Sequence, residues 1–334
     1  MTALSTAPAV TEAGEMLERA RRLIGPALDQ ALARLSPELA APVDHHFAGG
    51  GKYVRGALVL ACAAATGAEA DAAMPAAVAI ELVHNFSLLH DDIIDGDLER
   101  RHRPTVWAAF GSGAAIIAGD ALATLAVQVL LDDPTPARVQ AAKRLAAATQ
   151  AMIAGQAEDM AAERRTGLSV AECLAMETGK TGELLACAAS LGAVLAAAPA
   201  EDIEGLADFG RHIGIAFQAV DDVLGIWGQA AVTGKPVGSD LRSRKKTLPV
   251  ALCLELDPPA YWRLTRLLAA PEIDDITVEQ ATELLEGCGA RAEAMAIGAV
   301  HLAHGLAALG NCRLEPAARR QLEALARFVT RRDR

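Results

Sequence analysis

Aromatic residues are scarce: Phe, Trp and Tyr together make up 3% of the 334 residues, while the apolar fraction of 52% is carried mainly by Ala and Leu. That balance argues against aromatic-rich strands and favours helix, because Ala and Leu lose little on entering one. Sustained alternation of period two is missing as well, so no sheet is expected. Excess positive charge is absent. A net charge of −11 with a pI near 5.2 excludes nonspecific nucleic-acid binding, which takes a basic surface. Local basic clusters remain compatible with anionic substrates. The six cysteines show no close metal-type pairing and read as reduced, buried thiols of a cytoplasmic protein. No basic segment followed by an apolar block opens the chain, so no signal peptide is read. The most membrane-like run, Leu184 to Ala200, is short and interrupted by Ser190 and Gly192. It reads as a buried helix, and no membrane span is expected.

What the chain does have is acid inside apolar surroundings. One string is His90-Asp91-Asp92-Ile93-Ile94-Asp95, and a second is Phe217-Gln218-Ala219-Val220-Asp221-Asp222-Val223-Leu224-Gly225. Carboxylates there are costly to bury unless a cation or donors accompany them. Helical spacing puts His84, Leu88, Asp91 and Asp95 on one stripe, and Gln218, Asp221, Asp222 and Gly225 on another. Asp91 and Asp95, one turn apart, can bridge a hard cation. A helix end with solvated acids is the plain alternative for the first string, and a buried hydrogen-bonded pair for the second. Asp132-Asp133 and Asp274-Asp275 lie beside prolines in loop-like stretches and receive no role.

Basic residues gather near the acids in sequence: Lys52 and Arg55 after Gly49-Gly50-Gly51, Arg100 and Arg101, Lys180 with Thr181, and Lys235 and Lys245. Acids and cations together fit a polyphosphate held through magnesium. Neither Gly49–Lys52 nor Gly179-Lys180-Thr181 has the glycine frame of a nucleotide phosphate loop, which disfavours nucleotide hydrolysis.

Helices are expected over about 13–35, ended by Pro37, and over 56–66, 74–95, 114–131, 137–163, 170–198 and 203–227, with a loop over 228–246 and shorter helices to about 332. The expected fold class is all-α: a single large helical bundle over 13–334 around a central apolar cavity, preceded by a mobile tail over 1–12.

Ordered motifs over roughly 45–250 resemble the trans-isoprenyl diphosphate synthases, the polyprenyl synthetase family, and among them the short-chain, geranylgeranyl diphosphate synthase-like members. They are Gly50-Gly51-Lys52-Tyr53-Val54-Arg55, Glu81-Leu82-Val83-His84, Leu89 to Asp95, Arg100-Arg101-His102-Arg103-Pro104-Thr105, Ala118-Gly119-Asp120, Gly155-Gln156, Lys180-Thr181, Phe217-Gln218 with Asp221-Asp222, and Gly234 to Leu241 on through Lys245 to Leu248-Pro249. The resemblance implies that isopentenyl diphosphate elongates an allylic diphosphate with release of diphosphate. It implies Mg2+ on Asp91, Asp95 and Asp221, and catalytic work at those residues, Lys180 and Lys235. Lys52, Arg55, His84 and Arg101 would bind isopentenyl diphosphate. Arg100, Lys180, Thr181, Gln218, Lys235 and Lys245 would hold the allylic diphosphate. A cytoplasmic homodimer is implied too. Phe86 and Ser87, just before the first string, correspond to the chain-length floor and suggest a product of about C20, with C15 open. Two departures stand out: Gly225 where many members carry Asp, and Gly56 where Pro is frequent. A terpene cyclase and a noncatalytic subunit of a heteromeric synthase are the competing readings. Lys52, Arg55, His84 and Arg101 speak against the first, and Gly225 alone speaks for the second.

Overall fold

The structure is a computed structural model describing residues 7–229 and 236–330, with side chains from residue 12. Its elements are α1 (Ala7–Leu32), α2 (Pro37–Phe47), α3 (Val54–Ala65), α4 (Ala70–Ile94), β1 (Glu99–Arg100), β2 (Arg103–Pro104), α5 (Val106–Phe110), α6 (Ser112–Leu131), α7 (Pro136–Ala162), α8 (Val170–Glu177), a π-helical turn (Thr178–Gly182), α9 (Glu183–Leu195), α10 (Ala200–Trp227), α11 (Ser239–Arg242), α12 (Leu248–Leu256), α13 (Pro258–Leu268), α14 (Asp275–Gly287), α15 (Ala290–Asn311) and α16 (Pro316–Val329). The all-α class holds.

Several expectations are corrected. Helix α1 already begins at Ala7, so positions 7–12 of the expected tail are helical, and 1–6 lie outside the described residues. Pro37 does more than end a helix: it opens α2 at the first turn, where its fixed φ suits a helix and its missing N–H costs nothing. The helix expected over 170–198 is divided by the π turn and stops at Leu195. A two-stranded ribbon pairs Glu99 with Pro104 and Arg100 with Arg103. Two residues per strand leave no alternation to detect. By length and apolarity alone, α4, α6 and α15 could cross a membrane, rather than the run from Leu184. Helix α4 keeps 67% of its apolar window inside the protein.

Two compact units emerge, Met1–Thr149 with Cys187–Ala207 and Asn311–Leu325, and Gln150–Ala186 with Asp208–Gly310 and Ala326–Arg334. The chain passes between them inside α7, α9, α10, α15 and α16 rather than at a loop. In the first unit α4 packs on α3 and α6, and α1 on α3. Ile24, Leu28, Val59, Ile80, Leu82, Leu122 and Leu125 are buried there. In the second, Met176, Val223, Ile226, Leu248, Leu252, Tyr261, Leu264 and Leu285 form a core. Each such aliphatic contributes roughly 1.5–3 kcal/mol on leaving water. Tyr261 satisfies its buried hydroxyl by donating to Thr166 O at 2.6 Å. All six cysteines are free thiols, and only Cys288 is not fully buried.

Candidate active site

In the first unit the first acidic string closes α4. Asp91 is half-buried in its last turn, and Asp95 is its exposed C-terminal cap, with its N–H donating to Asp91 O at 2.8 Å. Asp92 points the other way. It is buried, and its Oδ1 accepts from both Nε and Nη2 of Arg100 at 2.7 Å. Arg100, expected on a substrate phosphate, also ties the ribbon to α4 through this pair. Between Arg100 and Arg103 the chain turns through Arg101 (φ 53) and His102 (φ 60). Two left-handed residues make the tight hairpin turn that follows strand twist, and without glycine they cost about 1–3 kcal/mol each. That turn carries Arg101 to the glycine run: a Cβ added at Gly51 would lie 3.9 Å from its Nη1, and one at Gly49 3.9 Å from its Cδ.

Beside it, Arg55 Nη1 donates to His84 Nε2 at 3.2 Å. Burial first, then the Arg55, Arg101 and Arg100 guanidinium groups, holds the His84 pKa far below its ordinary value, so the ring is a neutral acceptor. Underneath, Glu81 Oε1 accepts from Gly56 N at 2.8 Å, and its pKa is raised by burial. Asn85 Nδ2 donates to Glu81 O, so its Oδ1 accepts from His46 Nε2 at 2.9 Å. Burial lowers the His46 pKa to about 4. His46, Glu81 and Asn85 had no assigned role from sequence. Lys52 is exposed at the head of α3, whose first residue follows Tyr53 in a left-handed conformation.

Phe86 is buried one turn and a half before Asp91, edge-to-face with His90 at 5.1 Å between ring centres. Ser87 Oγ donates to His84 O at 2.9 Å. Gly119 explains the small residue in its motif: a Cβ there would come within 2.3 Å of His90 Nε2, which instead hydrogen-bonds Ile116 O at 3.1 Å.

In the second unit the π turn presents Lys180 and Thr181. It exists where α7 comes to backbone contact, since a Cβ at Gly155 would meet Lys180 N at 2.4 Å. π-helical turns of this kind recur at functional sites. Lys180 Nζ pairs with Asp159 at 2.6 Å. Thr181 Oγ1 donates to Gln218 Oε1 at 3.0 Å, Gln218 Nε2 donates to Asp222 Oδ1 at 2.8 Å, and Asp222 Oδ2 accepts from Leu248 N at 2.8 Å. The chain of bonds joins the π turn, α10 and the start of α12. Burial lifts the Asp222 pKa to about 6. Buried Glu177 is lifted as well, by burial first and then by the Asp222 charge, and its Oε1 accepts from Cys173 Sγ at 3.3 Å. Asp221 is half-buried at the preceding position of α10. Lys245 is half-buried with its N–H on Asp240 O at 2.9 Å, and Lys235 lies outside the described residues. Asp159 carried no sequence signal, because its partner Lys180 is distant along the chain, and Asp240 stood within a quoted motif without an assigned role.

No three of His, Cys, Asp and Glu form a ready metal cage among the described residues. Asp91 and Asp95, one turn apart at the end of α4, are the kind of one- or two-carboxylate donor set that holds magnesium together with waters and substrate phosphates.

A model of the family described as polyprenyl synthetase matches residues 36–285. The chain belongs to the polyprenyl synthetase family. Among family members, it is 43% identical over 333 residues to a (2E,6E)-farnesyl diphosphate synthase of Mycobacterium tuberculosis, covering 95% of this chain and 93% of that one. A geranylgeranyl diphosphate synthase of the same organism is 41% identical over 332 residues, with the same coverage. A geranylgeranyl pyrophosphate synthase from Corynebacterium glutamicum, solved with isoprenyl diphosphate and magnesium, superposes with a TM-score of 0.86 at 28% identity, covering 96% of this chain and 99% of that one. The polyprenyl synthetase fold and activity class follow: the chain is an enzyme, a magnesium-dependent trans-prenyltransferase that makes a short prenyl diphosphate.

Proposed function

We propose that this chain condenses isopentenyl diphosphate with an allylic diphosphate to a product of about C20, using Asp91, Asp95 and Asp221 as magnesium ligands. One observation carries the reading. In each acidic string one carboxylate is spent on structure, Asp92 on Arg100 and Asp222 on Gln218 and Leu248 N. Its neighbours Asp91, Asp95 and Asp221 are the more accessible members. Bound magnesium would supply Lewis-acid stabilisation of the departing diphosphate. Lys180, positioned by the π turn and by Asp159, would neutralise allylic phosphate oxygens, with Thr181 and Gln218 orienting them and Lys235 and Lys245 adding charge. Lys52, Arg55, Arg101 and neutral His84 would hold the diphosphate of the second substrate and fix its double bond for attack. Apolar walls would keep water from the allylic cation.

Asp91→Asn, Asp95→Asn and Asp221→Asn are each expected to reduce condensation rate by two orders of magnitude or more, on the scale seen when charge-stabilising groups are removed. All three proteins turning over at the wild-type rate would sink the assignment. Incubation with farnesyl diphosphate and magnesium, with and without isopentenyl diphosphate, separates elongation from cyclisation, and turnover by the purified chain alone disposes of a noncatalytic subunit. Product length rests on Phe86, buried before Asp91, with Ser87 beside it. Phe86→Ala is expected to lengthen the product, and an unchanged product removes the floor. A C15 product is the second reading, favoured by the 43% identity to a farnesyl diphosphate synthase.

The same reading takes the enzyme as a cytoplasmic homodimer without a membrane span. Exposed Ile116, Ile117, Val127 and Leu131 on α6 support self-association.

A further inference from the structure

Three histidines away from the residues described above converge within the second unit. His212 lies on α10, and His301 and His304 lie three apart on α15. Glycines set the approach of the two helices. Gly298 and Gly305 are two turns apart on one face of α15. A Cβ at Gly298 would lie 3.4 Å from Ala219 Cβ, and one at Gly305 would lie 3.3 Å from both His212 Cβ and Phe209 O. His301 falls on that face between the two glycines, with His304 next to Gly305. The helices are 28 and 22 residues long, so the rings stand on rigid supports.

The spacing of the rings is that of ligands around one ion. His212 Nδ1 and His301 Nδ1 are 2.9 Å apart, and with neutral rings one donates while the other accepts. Two nitrogens bound to one tetrahedral metal stand about 3.3 Å apart, so an ion replaces the shared proton with little movement. The ring centres are separated by 5.1, 5.3 and 6.2 Å. The point equidistant from all three is about 3.2 Å from each, which is where an ion sits from the centre of an imidazole bound at a nitrogen–metal length of about 2.1 Å. Burial first, then the charge of the neighbouring imidazoles, lowers the pKa of His212 and of His301, so both rings are neutral and able to ligate at neutral pH. Asp208, one turn before His212 and held by Arg211 Nη1 at 2.6 Å, adds negative charge on the same side. As they stand the three rings are not a closed cage. Two are joined by their hydrogen bond, and the exposed His304 has room to turn a nitrogen inward.

We propose that His212, His301 and His304 form a zinc site, with water in the fourth position, that pins α10 to α15. Imidazole suits zinc and its transition-metal neighbours, whereas magnesium takes oxygen. His212 precedes Asp221 by nine residues, about two and a half turns of α10, so the two point to opposite sides of the helix. The site is therefore separate from the carboxylate assigned to magnesium on the same element, and its role is to hold that element in place.

The test uses the full chain, stripped with a chelator and kept in millimolar Mg2+ so that oxygen sites are occupied. Isothermal titration with Zn2+ is expected to show one ion per chain bound with a dissociation constant of about 10 µM or tighter. A hundredfold excess of Zn2+ over that constant should raise the melting point by about 3–6 °C. Bound Co2+ should give the visible absorption of a nitrogen-ligated tetrahedral ion. His304→Ala, at an exposed position, and His301→Gln are each expected to weaken Zn2+ binding by about tenfold or more and to abolish the melting shift. Their melting points without metal should stay within a few degrees of wild type, and His304→Ala should condense substrates in Mg2+ at the wild-type rate. No Zn2+ binding below 100 µM, or binding that neither substitution weakens, overturns the proposal. A loss of binding that only follows a lower metal-free melting point overturns it too.

Discussion

Asp221 and Asp222 are neighbours with opposite duties. Asp222 is closed in by Gln218, Leu248 N and Glu177, whereas Asp221 is half-buried one position earlier. Asp222→Ala should strand the Leu248 N–H and destabilise the protein by about 1–3 kcal/mol, seen as a lower midpoint in denaturant unfolding. Asp221→Asn should leave that midpoint in place while removing activity. His46 makes a prediction of another sign. Its folded pKa of about 4 lies below the unfolded value of 6.5, so the unfolded chain binds the proton first. The stability it contributes is complete above pH 6.5 and is lost as pH falls toward 4, by on the order of 3 kcal/mol at most. Asp222, with its raised pKa, works in the opposite direction over nearly the same range. The clean measurement is therefore the difference between wild type and His46→Gln, which should shrink steadily from pH 7 to pH 4.5. Sequence made the acids legible, because a carboxylate in an apolar helix asks for a partner. It did not say which partner. That Arg100 serves Asp92, or that Asp159 serves Lys180, depends on contacts between elements far apart along the chain.

Among the elements, the π turn is the one that local pattern could not reveal. Residues 170–198 carry an unbroken helical rhythm, and the extra residue in the turn exists because Gly155 lets α7 approach the Lys180 backbone. Gly155→Val should force the two apart, at a cost on the order of 1–3 kcal/mol. Because Lys180 and Thr181 move with the turn, the Michaelis constant for the allylic substrate should rise more than that for isopentenyl diphosphate, which steady-state kinetics in each substrate would reveal. Equal changes in both would detach the turn from allylic binding. The ribbon at 99–104 was missed for a different reason, namely that four paired residues have no period. Helix α2 was missed because Pro37 reads as a stop unless its place at a helix start is considered. Long helices such as α4, α6 and α10 were legible to within a few residues, since their apolar faces persist over many turns.

At the scale of the whole molecule, composition sufficed for the all-α class, and ordered motifs sufficed for the family. The apolar face of α6 leads to a further expectation: the purified protein should sediment as a dimer, and Ile117→Glu should shift it toward monomer, as measured by analytical ultracentrifugation. A wild-type protein that stays monomeric at micromolar concentration removes α6 as a self-association surface. The division into two compact units was not legible, because no linker marks it. The crossings fall within α7, α9, α10, α15 and α16. A break at such a place would cut through hydrogen-bonded turns rather than through a hinge. Neither half could be expressed alone, permuted as a cassette or exchanged with the matching half of a relative without severing continuous helices.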